Sequence, residues 1–269
     1  MIVHRTRHAV VLLVVALLVV ACSTGGAASP TAAPAQLQLY AAASLKKVLT
    51  DATAAYTAAN PGVTFALSTD SSAALETKIE QGAPADVFLS ADTKNPQKLV
   101  DAGLASGEVT PFAGNLLTVV VPAGNPAGIS TPADLAKAGV KVVAAGDEVP
   151  ITKYAAQLVD NLAKEQGYPA DFAASYATNI VSREDNVSAV LAKLALGEGD
   201  AGIVYVTDAK GADGVETVAV PDSANVPATY GGVVVKSSAA PAAAAPFLSW
   251  LTGPAAQAVF AAAGFTPAP

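Results

Sequence analysis

The sequence predicts an α/β fold of two similar lobes, each a mostly parallel sheet flanked by helices. From Leu37 to the C-terminus, short apolar runs of strand length alternate with segments whose apolar residues recur at helical spacing. Two segments, Pro84-Ala85-Asp86-Val87-Phe88 and Asp200-Ala201-Gly202-Ile203-Val204-Tyr205, also look equivalent. Each follows a helical stretch and a glycine and enters an apolar strand through small residues. Two lobes on one chain require crossings, expected near Leu116–Val120 and Gly231–Val235. The first lobe is then 37–117 together with 233–269, and the second is 118–232. The crossings are natural hinges and the cleft between the lobes a natural ligand site.

The elements follow in order. Leu37–Tyr40 reads as a strand. Val48, Ala52, Ala55, Tyr56 and Ala59 then mark a helix. Val63–Leu67 is a strand, and Leu75 and Ile79 share one helical face that Gly82 ends. Asp86–Leu89 is a strand, and Lys94–Ala102 a helix with Gly103 just past its end. The second series opens with a strand at Leu116–Val121. A short helix at Pro132–Ala138 stops at Gly139, and Val140–Ala145 is a strand. Ala155, Leu158, Val159 and Leu162 define one helix; Val187, Val190, Leu191 and Leu194 define another. Strands are expected at Ala201–Tyr205, Val215–Val220 and Gly232–Val235, and terminal helices at Ala242–Leu251 and Pro254–Ala263.

Residues 1–21 read as a leader. His4, Arg5, Arg7 and His8 precede an apolar run from Ala9 to Val20 that is short for a membrane span and ends in small residues. Val19-Val20-Ala21-Cys22 resembles a bacterial lipobox, so Cys22, the one cysteine, is expected to be lipidated. Residues 22–36, rich in Ser, Thr, Gly, Ala and Pro, are expected to tether the domain to the outer face of the cell membrane.

Cleavage changes the available chemistry. Both histidines are lost, and Arg183 remains as the one arginine. With Arg5 and Arg7 gone, Lys plus Arg falls from 15 to 13 against 22 Asp plus Glu, a net charge of −9. A Ser-His-Asp triad and a histidine metal site are excluded. Nucleic-acid binding is disfavoured by the acidic balance. A hydrolase would have to use a Ser–Lys dyad, with Lys46 or Lys47 beside Ser44.

Five segments could carry binding chemistry. Ala41-Ala42-Ala43-Ser44-Leu45 and Asp70-Ser71-Ser72 each join a strand to a helix. Free amides and hydroxyls at such turns suit an anion, although each turn alone could simply be a capped helix. Gly146-Asp147-Glu148-Val149-Pro150-Ile151-Thr152 and Ser182-Arg183-Glu184-Asp185-Asn186-Val187 open two further helices. Gly202-Ile203-Val204-Tyr205 places a phenol at a strand end. In open α/β sheets, ligands bind beyond the carboxyl ends of strands.

Together, in order, and with Gly264-Phe265-Thr266 near the end, these segments resemble the ModA family of molybdate-binding proteins. The resemblance implies a type II periplasmic-binding-protein fold and a monomeric, non-enzymatic solute-binding protein of an ABC importer. Its partners would be a membrane permease and an ATPase, and it would need no cofactor. Its ligand would be molybdate or tungstate, bound as the oxyanion with no direct bond from protein to metal. The implied donors are the hydroxyl and amide of Ser44 and of Ser72, the amides of Ile151 and Val187, and the phenol of Tyr205. Asp70 departs from the family pattern, which usually has a small residue before the serine pair; a carboxylate beside a dianion would repel it unless it turns away or caps a helix. Sulfate and phosphate are the alternatives within the same class. A shell of donors alone would reject monohydrogen phosphate, whose proton needs an acceptor.

Overall fold

The computed structural model describes residues 34–268. The leader and Cys22 lie outside them. The strands are β1 (Ala35–Ala42), β2 (Val63–Asp70), β3 (Val87–Ser90), β4 (Ala105–Asn115), β5 (Leu117–Pro122), β6 (Val142–Ala145), β7 (Ile180–Glu184), β8 (Gly202–Tyr205), β9 (Val215–Val218) and β10 (Ala228–Val235). The helices are α1 (Lys46–Ala59), α2 (Ser72–Glu80), α3 (Lys94–Asp101), α4 (Pro150–Leu162), α5 (Phe172–Asn179), α6 (Val187–Ala195), α7 (Val206–Ala209), α8 (Pro241–Trp250) and α9 (Pro254–Ala263).

The first sheet has the order β2-β1-β3-β10-β4. The rest of the chain forms a three-stranded sheet, β8-β5-β9, and a pair, β6-β7. A parallel bridge from Val142 to Ala201 links β6 to the start of β8. Gly202 permits this approach, since a Cβ there would lie 2.7 Å from the Val143 carbonyl oxygen.

The sheets are mixed, not mostly parallel. β1 runs parallel to β2 and β3, and β6 to β7. β10 runs antiparallel to β3 and β4, and β5 to β8 and β9. The crossings explain this. β4 leads out of the first sheet, β5 follows after Leu116 alone, and β10 brings the chain back. A strand that arrives from the other lobe enters its sheet from the opposite end.

The crossings lie side by side. Asn225, on the returning segment, brackets Leu117 by accepting its N–H at 3.0 Å and donating to its carbonyl at 2.9 Å. The C-terminal tail closes the same region. Gly114 and Thr266 exchange backbone hydrogen bonds of 2.6 and 2.9 Å, and a Cβ on Gly114 would lie 2.8 Å from the Pro267 carbonyl.

Several elements differ from expectation. β4 contains Gly107, Pro111 and Gly114 and little apolar alternation. It forms because it pairs with β10 at the sheet edge, where a proline without N–H is tolerated. α5 and β7 are short, and their pattern is weak. The Pro132–Ala138 helix is a 3-10 turn over Pro132–Ala136.

Candidate functional site

In the first lobe, β1 and β2 are neighbouring parallel strands whose ends, Ala42 and Asp70, lie in register. Beyond β1 a 3-10 turn, Ala43–Leu45, leads into α1; beyond β2 comes the start of α2. In the second lobe, β6 and β7 are likewise parallel, with Ala145 opposite Glu184. They lead to the first turns of α4 and α6. Each lobe thus presents two adjacent helical N-termini, each with unpaired amides and partial positive charge.

Ser44, Ser72, Ile151, Val187 and Tyr205 all line one cavity where these four ends meet. Each of the five is buried. The cavity is tight. Its volume is about 10 Å³. None of the described residues lining it is Lys, Arg, Asp or Glu. Nor do three His, Cys, Asp or Glu side chains gather as metal ligands anywhere among the described residues.

Local chemistry decides which groups remain free. Pro150 occupies the first position of α4, so Ile151 carries its first N–H. Asn186 caps α6 by accepting the Ala189 N–H at 3.1 Å, which leaves the Val187 amide uncapped. Ser71 caps α2 through Ala74 at 3.2 Å, leaving the amide of Ser72. Ser72 Oγ accepts the Ala91 N–H at 3.0 Å, so its own proton is available to the cavity.

Tyr205 is the most telling group. Its ring is buried, and its hydroxyl has no hydrogen-bond partner among the described residues. Leaving a buried hydroxyl unpaired costs about 1–3 kcal/mol. Burial, reinforced by Tyr230 and Tyr154, holds its ionisation well above the ordinary phenol range, so it remains a donor.

The acids near the site are turned away or neutralised. Asp70 does not line the cavity. Burial pushes its pKa up, but bonds from Lys78 at 3.0 Å, the Ser71 N–H at 2.8 Å and the Asn186 amide prevail, and it stays below the usual range. The Asn186 bond, 3.4 Å long, joins α6 to the end of β2 across the cleft. Asp147 pairs with Arg183 at 2.9 Å on the outside. Ser44 Oγ pairs with Tyr230 Oη, and Lys47 Nζ with the Lys210 carbonyl, so neither forms a Ser–Lys dyad with the other.

Residues 37–266 match the family model described as bacterial extracellular solute-binding protein. The molybdate-binding protein ModA of Mycobacterium tuberculosis is 37% identical over 239 residues, covering 88% of this chain and 87% of that protein. The chain belongs to the ModA family of bacterial extracellular solute-binding proteins. Among solved structures, the periplasmic molybdate-binding protein of Azotobacter vinelandii is 26% identical with a TM-score of 0.72, over 87% of this chain and 100% of that one. The sulfate-binding protein SubI of M. tuberculosis is 25% identical with a TM-score of 0.76, over 86% of each chain. The family is one of binding proteins rather than enzymes.

Asn115 and Tyr230 are polar residues of the site that the motifs did not single out. They stand behind Ser44, and Tyr230 is 186 residues away from it in the chain. No local pattern connects them.

Proposed function

We propose that this protein captures molybdate, and tungstate with it, between its two lobes and delivers it to an ABC permease driven by a partner ATPase. Ser44 and Ser72 contribute hydroxyl and amide from one lobe; Ile151 and Val187 contribute amides, and Tyr205 its phenol, from the other. The observation that carries this reading is the buried hydroxyl of Tyr205, unpartnered among the described residues, at a cavity ringed by helical amides. A dianion supplies the acceptors these donors lack. Charge-assisted hydrogen bonds contribute about 1.5–3 kcal/mol each, so several reach the roughly 12 kcal/mol of nanomolar affinity after ordering costs.

The ligand bridges the lobes and stabilises the closed form through contacts that exist only there. The hinge lies at Asn115–Leu117 and at the return into β10, where Asn225 couples the two crossings. Lipidation of Cys22 would hold the domain at the membrane beside its permease.

A second reading, sulfate, is favoured by the fold similarity to SubI. A thermal-shift screen separates the two. Molybdate at about 100 times its dissociation constant should add about 2.7 kcal/mol of stability, and sulfate at the same concentration far less. Equal shifts would favour a general oxyanion binder, and no shift with any oxyanion would refute the reading.

A further inference from the structure

Behind Ser44 lies a chain of buried polar groups drawn from four elements. Ser44 Oγ is 2.9 Å from Tyr230 Oη on β10. Asn115 Nδ2, at the end of β4, is 3.3 Å from the same phenol oxygen and 2.7 Å from Thr207 Oγ1 on α7. All four side chains are buried. The Tyr230 ring is fixed by edge contacts with Phe265 at 5.4 Å and Phe112 at 6.3 Å, and lies 5.6 Å from the Tyr205 ring.

The direction of this chain follows from one backbone bond. Asn115 Oδ1 accepts the Leu116 N–H at 3.0 Å, which sets the orientation of the amide. Its nitrogen, which can only donate, therefore faces Thr207 and Tyr230. Tyr230 Oη accepts that bond, and among the described residues the acceptor left for its own proton is Ser44 Oγ; the reverse direction would leave that buried proton unpaired. Ser44 Oγ is then an acceptor within the protein, and its proton points to the cavity. Ser72 is set the same way by the Ala91 N–H.

We infer that Asn115 and Tyr230 are positioning residues that lock the Ser44 hydroxyl as a donor, so that the site rejects oxyanions carrying a proton. This inference rests on the oxyanion reading above. Without the relay, Ser44 could turn a lone pair inward. That would repel a fully ionised oxyanion and accept the proton of monohydrogen phosphate.

The test is a double-mutant cycle of Tyr230→Phe and Ser44→Ala, with molybdate and inorganic phosphate titrated separately. Tyr230→Phe should weaken molybdate about tenfold, equivalent to about 1.4 kcal/mol, and narrow the ratio of phosphate to molybdate dissociation constants by a similar factor. In the Ser44→Ala background the same change should cost less than about twofold, because nothing remains to orient. An equal loss in both backgrounds would mean that Tyr230 only supports packing and would overturn the relay. No loss in either background would overturn it too. Wild-type protein that ignores molybdate would overturn the molybdate reading itself, a distinguishable failure.

Should Tyr230→Phe not fold, Asn115→Asp tests the same point by reversal. A carboxylate at 115 accepts from Tyr230, which forces Ser44 to donate backwards. The added charge repels the ligand whatever occupies 44, so only the part of the loss that disappears with Ser44→Ala reports the relay. If none of it disappears, the relay is refuted.

Discussion

Replacing Tyr205 by phenylalanine should move stability and affinity in opposite directions. The hydroxyl is buried and lacks a partner among the described residues, while the ring packs against Tyr230 and, at 6.3 Å, Tyr154. Removing one oxygen keeps the ring contacts and abolishes a desolvation cost of about 1–3 kcal/mol. At about 2–4 °C per kcal/mol for a domain of this size, the ligand-free melting temperature should hold or rise by several degrees. In the proposed complex the same hydroxyl would make a charge-assisted bond of about 1.5–3 kcal/mol, so its loss should weaken molybdate by roughly 10- to 150-fold. Differential scanning calorimetry gives the first quantity and titration calorimetry the second. A variant that binds molybdate as the wild type does, or that melts well below it without ligand, would refute the assignment of Tyr205 to the ligand.

Three further outcomes are expected. Burial raises Asp208 to about 7 against the pull of the Tyr205 N–H. Since an unfolded aspartate titrates near 3.9, the folded form holds this proton more tightly, and the group's contribution is fully present below about pH 4 and declines as pH rises through about 7. Asp208→Asn should flatten that part of the stability profile, and an unchanged slope would contradict it. Asp70→Asn removes the carboxylate near the cleft, so molybdate affinity should hold or rise a few-fold at low salt, with the gain shrinking as salt is added; a tenfold loss would give Asp70 a direct role. Asn186→Ala removes the α6 cap and should lower denaturant-measured stability by about 1 kcal/mol, and no measurable change would contradict this.

Much of the framework was legible in the sequence because it rests on local rules. The strand–turn–helix junctions at Ser44, Ser72, Ile151 and Val187 announce themselves through small residues, hydroxyls and a proline at a first helical position. The strand ending in Tyr205 was legible as an apolar run behind two glycines. That these junctions share one cavity depends on β1 pairing β2 and β6 pairing β7 in register, which no local pattern specifies. β4 was hidden because Gly107, Pro111 and Gly114 suppress its periodicity, and its strand character comes from its partner β10. Asn115 and Tyr230 were hidden for the same reason. Their meaning lies in a contact between distant segments, and an isolated asparagine or tyrosine carries no signal of it. The orientation of Asp70 was equally undetermined until Lys78, Ser71 and Asn186 supplied its partners.

The central claim is that neutral donors from two lobes converge on one doubly charged tetrahedral ion. The most direct test is a crystal structure of the molybdate-soaked protein, with the metal located by anomalous scattering at the molybdenum edge. One molybdenum should lie in the cavity, with its oxygens within hydrogen-bond reach of Ser44, Ser72, Tyr205 and the amides of Ile151 and Val187. A molybdenum bound elsewhere, or held by carboxylates or lysines, would contradict the account.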